Sequence, residues 1–171
     1  LLEGVSMLRE LSPRSLDALV SFGERLAVPM VVALLRNSGM RVRRVDAREW
    51  IATDDQFGAA EVDWVATQTA IQSGVASDAD FEVLILEGFI GRSPNGETTT
   101  LGRGGSDYTA SLVARAVGAR CMEKSTDVAG MMTADPRLVP EAQIIETMSY
   151  EEAMELCHFG AKVIYPPTIE P

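Results

Sequence analysis

The sequence predicts an α/β fold with a mostly parallel sheet, and three observations carry that prediction. Strand-like and helix-like segments alternate along the chain. Residues 81–86 form a short apolar run closed by Glu87-Gly88, which fits a buried parallel strand. A glycine-rich stretch then feeds a helix with one apolar face, the order in which an open α/β sheet presents a ligand loop.

Each element has a local reason. Ser12-Pro13 predicts a helix start, a capping hydroxyl followed by proline at the first helical position. Leu16, Leu19, Val20, Gly23, Leu26 and Ala27 continue at helical spacing. Pro29 predicts a kink or a restart, residues 30–37 resume the helix, and Gly39 is its stop. Val42 and Val45 fit a short strand over 41–46 with its arginines outward. Residues 51–58 are turn-rich and polar, and 62–71 read as helix. Residues 91–105 read as a loop with five glycines and three consecutive threonines, feeding a helix over 106–117. Residues 119–124 are strand-like, 127–140 are irregular with Gly130, Pro136 and Pro140, and Ile144-Ile145 sit in a short strand. Ser149 with Glu152 three residues later is a capping box. The helix it opens is expected to end at Gly160, with Val163-Ile164 extended beyond.

Composition narrows the function classes. The 171 residues are 46% hydrophobic and 23% charged, so a packed core is expected, and length alone suggests one domain. Uncharged apolar runs such as 28–35 fall short of the ~20 residues of a membrane span. A net charge of −10 argues against a phosphate-backbone binder. Cys121 and Cys157 make neither a metal-ligand spacing nor a disulfide framework, and a reducing cytoplasm is the simple reading. His158 is the one histidine, which excludes a His-rich metal site, and no G-x-S-x-G elbow exists to pair with it. Only two lysines, Lys124 and Lys162, stand against thirteen arginines, so a phosphate-handling lysine has two candidates.

The strongest chemical feature is Thr98-Thr99-Thr100-Leu101-Gly102-Arg103-Gly104-Gly105-Ser106-Asp107. Glycines admit close backbone approach, and the N–H groups of a helix start favour an anion. Arg103 adds a fork able to grip a carboxylate or phosphate by two bonds. The plainer reading is a surface loop capped by Ser106 and Asp107. Neither G-x-x-x-x-G-K-[ST] nor G-x-G-x-x-G is present. Ser125-Thr126-Asp127-Val128 and Thr133-Ala134-Asp135-Pro136-Arg137 offer hydroxyls, carboxylates and a guanidinium to a nucleotide, or are turn chemistry. Lys162 follows a helix end and either complements its dipole or handles phosphate. Glu24, in an otherwise apolar helix, is either solvated or a buried acid with a function.

Together with Ser21-Phe22-Gly23-Glu24-Arg25-Leu26, Gly88-Phe89-Ile90-Gly91, Tyr108 and Phe159-Gly160-Ala161-Lys162-Val163, these motifs resemble aspartokinase in order and spacing over nearly the whole chain. The segment 148–171 looks most like the kinase part of bifunctional aspartokinase–homoserine dehydrogenases. The resemblance implies the amino-acid-kinase fold, a three-layer α/β/α sandwich. It implies transfer of the ATP γ-phosphoryl group to the β-carboxylate of L-aspartate, with Mg²⁺ accompanying the nucleotide. That is the first step toward lysine, threonine and methionine, in a homo-oligomeric full-length enzyme. A carboxylate is already ionised at neutral pH, so no histidine base is needed, and catalysis rests on positioning and charge.

By the same resemblance, Arg103 looks like the clamp on the α-carboxylate and Glu24 the partner of the amino group. Phe89 would wall the pocket, with Gly104, Ser106 and Asp107 lining it. Thr126, Asp127, Met132, Asp135, Arg137, Lys162 and Val163 resemble the nucleotide set. Arg103, Asp107 and Lys162 are the expected catalytic residues, and no residue is assigned to a metal. Met132, Ser125 and Tyr165 depart from the residues common in relatives (tyrosine, tryptophan and histidine). The family's opening Lys-Phe-Gly-Gly segment and its regulatory region are not in this sequence, and Lys124 lies in the wrong motif to replace that lysine. The expectation is therefore an inactive partial kinase domain over 1–171. The alternatives are a glutamate or acetylglutamate kinase, or a non-catalytic sensor of nucleotides or amino acids.

Overall fold

A computed structural model describes residues 2–9, 11–77, 80–126, 130–135 and 137–159. Ten elements follow in order. They are α1 (Leu2–Leu8), α2 (Pro13–Asn37), β1 (Val42–Val45), α3 (Ala47–Trp50) and α4 (Trp64–Ser77), then β2 (Val83–Leu86), β3 (Ile90–Arg92), β4 (Thr98–Thr100), α5 (Gly105–Val117) and α6 (Tyr150–Phe159).

β1 and β2 pair in parallel, Val42 opposite Val83 and Val45 opposite Leu86. The apolar run of β2 divides between two cores. Val83 and Ile85 pack with Val28, Val32, Leu35 and Val42, beneath α2. Leu84 and Leu86 pack on the other side, in the cluster of Val45, Trp50, Ile51, Ile71, Ile90 and Leu101. A parallel strand covered on both faces is what a continuous apolar run encodes. The sheet thus lies between α2 on one side and α3, α4 and α5 on the other, a three-layer α/β/α arrangement. α4 settles closely on this core because Gly74 faces Trp50, where a Cβ would lie 2.5 Å from the indole nitrogen.

The ends of α2 are as the sequence predicts. Ser12 Oγ accepts from Ser15 N at 3.2 Å, with Pro13 at the first helical position. At the other end Gly39 is left-handed (φ 86°), Gly39 N donates to Arg36 O, and Met40 N donates to Leu35 O. The helix does not restart at Pro29, which lies inside one continuous helix. Val28 and Val32 flank the proline and are both seated on the sheet, so packing outweighs the lost N–H.

The packing face of α2 is also not its most apolar one. The buried residues are Asp17, Ser21, Val28 and Val32, while Leu16, Val20, Leu26, Met30 and Leu34 are exposed. By length and composition α2 could cross a membrane, which counting uncharged runs had missed. Here it is bound to the sheet through Val28 and Val32, and to a loop and a strand through Asp17.

Other expectations need correction. Residues 91–105 are not one loop, since β3 and β4 form an antiparallel hairpin within them, Ile90 opposite Thr100. The threonines that read as loop are strand residues, and Thr99 shares a buried hydroxyl contact with Thr53 at 2.7 Å. α3 and α1 were not foreseen; α3 is capped by Asp46, whose side chain accepts from Arg48 N. The helix read over 62–71 begins at Trp64 and runs to Ser77. No strand forms over 119–124, and Ile144 makes only an isolated bridge with Met132. The capping box is present in both directions: Ser149 N donates to Glu152 Oε2 at 2.8 Å, and Glu152 N donates to Ser149 Oγ at 3.2 Å. The expected stop at Gly160 and the extended Val163-Ile164 lie outside the described residues.

Candidate amino-acid site

The site is built where three segments meet. The inward stripe of α2 reads Asp17, Ser21, Glu24, Val28, Val32, steps of four and three residues that keep one face. Glu24 therefore lies toward the interior and is half-buried, which resolves the choice between a solvated and an inward acid. The second segment is the corner between β2 and β3. There Phe89 holds φ at 71°, a left-handed conformation uncommon for a bulky side chain. The third is the turn into α5, where Gly102 (φ 70°) and Gly104 (φ 72°) are both left-handed.

The corner and the turn touch because glycines let them. A Cβ at Gly88 would lie 2.8 Å from Ser106 Cα, and one at Gly105 would lie 2.9 Å from Leu101 Cβ and 3.0 Å from a Phe89 ring carbon. These two glycines serve contact within the protein; for Gly105 the sequence suggests close approach to a ligand, and Gly88 reads as the end of a strand. Leu101 N donates to Phe89 O at 2.9 Å and Phe89 N donates to Thr109 Oγ1 at 3.2 Å, which closes the junction. Glu87, just before the corner, is fully buried; it accepts from Arg44 Nη2 at 2.8 Å and from Ala47 N at 3.0 Å.

Glu24, Phe89, Arg103, Gly104, Ser106 and Asp107 line one open cavity of about 390 Å³, joined by Gly102 and Gly105. All six residues expected around a substrate are thus brought together. The capping role considered for Ser106 and Asp107 is overturned. The residue before α5 is Gly104, with no side-chain cap, and Ser106 and Asp107 lie within the first turn. The uncapped start leaves first-turn N–H groups without intrahelical acceptors, beside the cavity.

The charges are arranged in a definite way. Arg103 is exposed and Glu24 half-buried, and neither has an ion-pair partner among the described residues. Asp107 is paired, its Oδ2 lying 2.6 Å from Lys124 Nζ. In the sequence Lys124 lies in the wrong motif to replace the family's opening lysine. Its proximity comes from the chain returning after α5, which no local pattern encodes. Among the described residues, no group of three or more His, Cys, Asp or Glu side chains is gathered to hold a metal ion.

The residues expected around a nucleotide are less gathered. Asp135 lines a second open cavity of about 820 Å³ with Thr133, Leu138 and four α6 residues, Glu151, Glu152, Glu155 and Leu156. Asp135 Oδ1 accepts from Arg137 N at 2.9 Å, and Arg137 Nη2 lies 2.7 Å from Asp135 Oδ2, so the two close a turn. The Arg137 guanidinium, bonded to the carboxylate, lowers the Asp135 pKa to about 2. Thr126 is exposed and Met132 half-buried. Asp127, Lys162 and Val163 lie outside the described residues, as does the His158 side chain.

Comparison with known proteins decides the family. The sequence matches the amino acid kinase family over residues 3–171. The chain belongs to that family. The chain is 40% identical to lysine-sensitive aspartokinase 3 of Escherichia coli K12, over all of this chain and 39% of that protein. It is also 40% identical to a bifunctional aspartokinase/homoserine dehydrogenase of Haemophilus influenzae, over 87% of this chain and 18% of that one. The fold superposes on the E. coli aspartokinase III complex with aspartate and ADP with a TM-score of 0.87 and 42% identity, covering 94% of this chain and 36% of that one. The amino-acid-kinase fold expected from the motifs is confirmed. The chain spans about two fifths or less of the length of these relatives.

Proposed function

We propose that this chain forms the amino-acid-binding part of an aspartate kinase, which transfers the ATP γ-phosphoryl group to the β-carboxylate of L-aspartate and gives 4-phospho-L-aspartate. The observation that carries this is that Arg103 and Glu24 share one small cavity and neither has an ion-pair partner among the described residues. That pair suits a zwitterion, with the α-carboxylate on the guanidinium fork and the ammonium on Glu24. The pattern agrees with a family whose relatives include aspartokinases and with a neighbour solved with aspartate and ADP.

The chemistry needs little from the protein beyond placement. The β-carboxylate is ionised at neutral pH and attacks phosphorus without a base. The γ-phosphorus–oxygen bond to ADP breaks as the new bond forms. Holding both ends of the amino acid leaves the β-carboxylate the one mobile nucleophile, and Phe89 limits where it can swing. The uncapped start of α5 offers N–H groups toward negative charge. Thr126, Asp127, Met132, Asp135, Arg137, Lys162 and Val163 are the proposed nucleotide contacts, Lys162 offsetting charge on the transferring group. Mg²⁺ enters as part of the nucleotide substrate, bound to its phosphates.

A substrate panel on the full-length protein tests the reading. L-aspartate should be phosphorylated, and L-glutamate and N-acetyl-L-glutamate should not. The acetylated acid has no ammonium, so it would leave Glu24 facing a neutral amide. Arg103→Ala should raise the Michaelis constant for aspartate by about a hundredfold and leave that for ATP nearly unchanged. A shift confined to ATP would overturn the assignment.

A further inference from the structure

The inward stripe of α2 begins with a carboxylate that touches no part of the cavity. Asp17 is 1% exposed. Its Oδ2 accepts from Thr100 N and from Gly58 N, each at 2.9 Å, and its Oδ1 accepts from Thr100 Oγ1 at 2.9 Å. Three donors thus converge on one buried group, from a strand and a loop distant in sequence. A carboxylate is an acceptor only, and it satisfies all three at once.

The position of this clasp matters more than its strength. Glu24 follows Asp17 by seven residues, two turns along the same face of one helix. Thr100 ends β4 and precedes Arg103 by three residues. One carboxylate therefore joins the helix bearing the cavity's acid to the strand that leads into the turn bearing its cation. The exposed pair Arg14–Glu97 (2.7 Å) ties α2 to the same hairpin from the solvent side, where an ion pair holds weakly.

We propose that Asp17 is a positioning residue, which sets the separation between Glu24 and Arg103 and so the fit of the cavity to the amino acid. The proposal rests on reading the cavity as an aspartate site.

The test uses Asp17→Asn and Asp17→Leu in the full-length protein, with Michaelis constants for both substrates, calorimetric aspartate binding and thermal melts. Asparagine can keep the clasp, its oxygen taking both N–H groups and its amide donating to Thr100 Oγ1, so aspartate constants should stay within about threefold. Leucine keeps the branching at Cγ, is bulkier and has no acceptor, so the aspartate constant should rise about tenfold or more while the ATP constant moves less than twofold. If the leucine variant does not fold, Thr100→Val removes one donor and should raise the aspartate constant about threefold in the same selective way. A drop in melting temperature with unchanged aspartate constants, or equal shifts for both substrates, would overturn the proposal alone. A wild-type protein that binds no aspartate would overturn the cavity reading itself.

Discussion

Lys124 Nζ lies 2.6 Å from Asp107 Oδ2, and each side chain is about one quarter exposed. Asp107 lines the cavity shared with Arg103 and Glu24, which have no ion-pair partner among the described residues, and Lys124 pairs with it without lining the cavity itself. With Lys124 in place the four charges cancel. Lys124→Met leaves a net negative wall against a substrate that is itself a net anion. Aspartate binding should weaken by about three- to tenfold in calorimetry, and stability should fall by about 1 kcal/mol. Lys124→Arg should restore both. Unchanged affinity in the methionine variant would show that Lys124 serves only the fold.

Glu87 concerns stability. It is wholly buried and holds the ends of β1 and β2 to α3 through Arg44 and Ala47 N. Glu87→Leu leaves the buried Ala47 N–H without its acceptor while the Arg44 guanidinium can still reach water, so urea denaturation should show a loss of about 1–3 kcal/mol. Glu87→Gln keeps an acceptor and should cost less. Equal losses would mean that the charge, not the hydrogen bonds, matters there.

Phe89 separates backbone strain from side-chain function. Its φ of 71° suits glycine, yet its ring walls the cavity. Phe89→Gly should be more stable than Phe89→Ala by about 1 kcal/mol, because alanine keeps the strained backbone. Both should bind aspartate more weakly than the wild type. An alanine variant as stable as the glycine variant would show that the left-handed corner is not retained.

Asp135 gives a pH readout. Its carboxyl is held to a pKa of about 2 by Arg137, against an ordinary 3.8. A depressed folded-state value stabilises the folded turn above the unfolded pKa. That contribution is lost as pH falls through about 2. Carbon NMR of the Asp135 carboxyl should show its midpoint near pH 2, and Arg137→Ala should move it up toward 3.8. A midpoint that ignores the substitution would sink the ion-pair assignment.

What could be read from the sequence divides by range. Ser12-Pro13, Gly39 and the Ser149–Glu152 box act within a few residues, and each forms as written. The parallel strand was legible because an apolar run packed on both faces has few other uses, although its four residues are only half-buried. The cavity residues were legible through motif resemblance, and geometry assembles all six. The β3–β4 hairpin was hidden because Gly91, Gly96 and three threonines have loop-like composition, and only pairing with distant partners such as Thr53 makes them sheet. Lys124 was hidden for the same reason. Asp17 did leave a trace, for it stands four residues before Ser21 and seven before Glu24.

That polar row on α2 has a consequence for how the helix finds its seat. Oily contacts have no preferred direction, and α2 carries leucine, valine and methionine around much of its circumference. Judged by greasiness alone, several rotations about its axis would compete. Asp17 tolerates one of them, the rotation that brings Thr100 and Gly58 to its two oxygens. A single acid thereby acts as a key, excluding misrotated packings that hydrophobicity would accept.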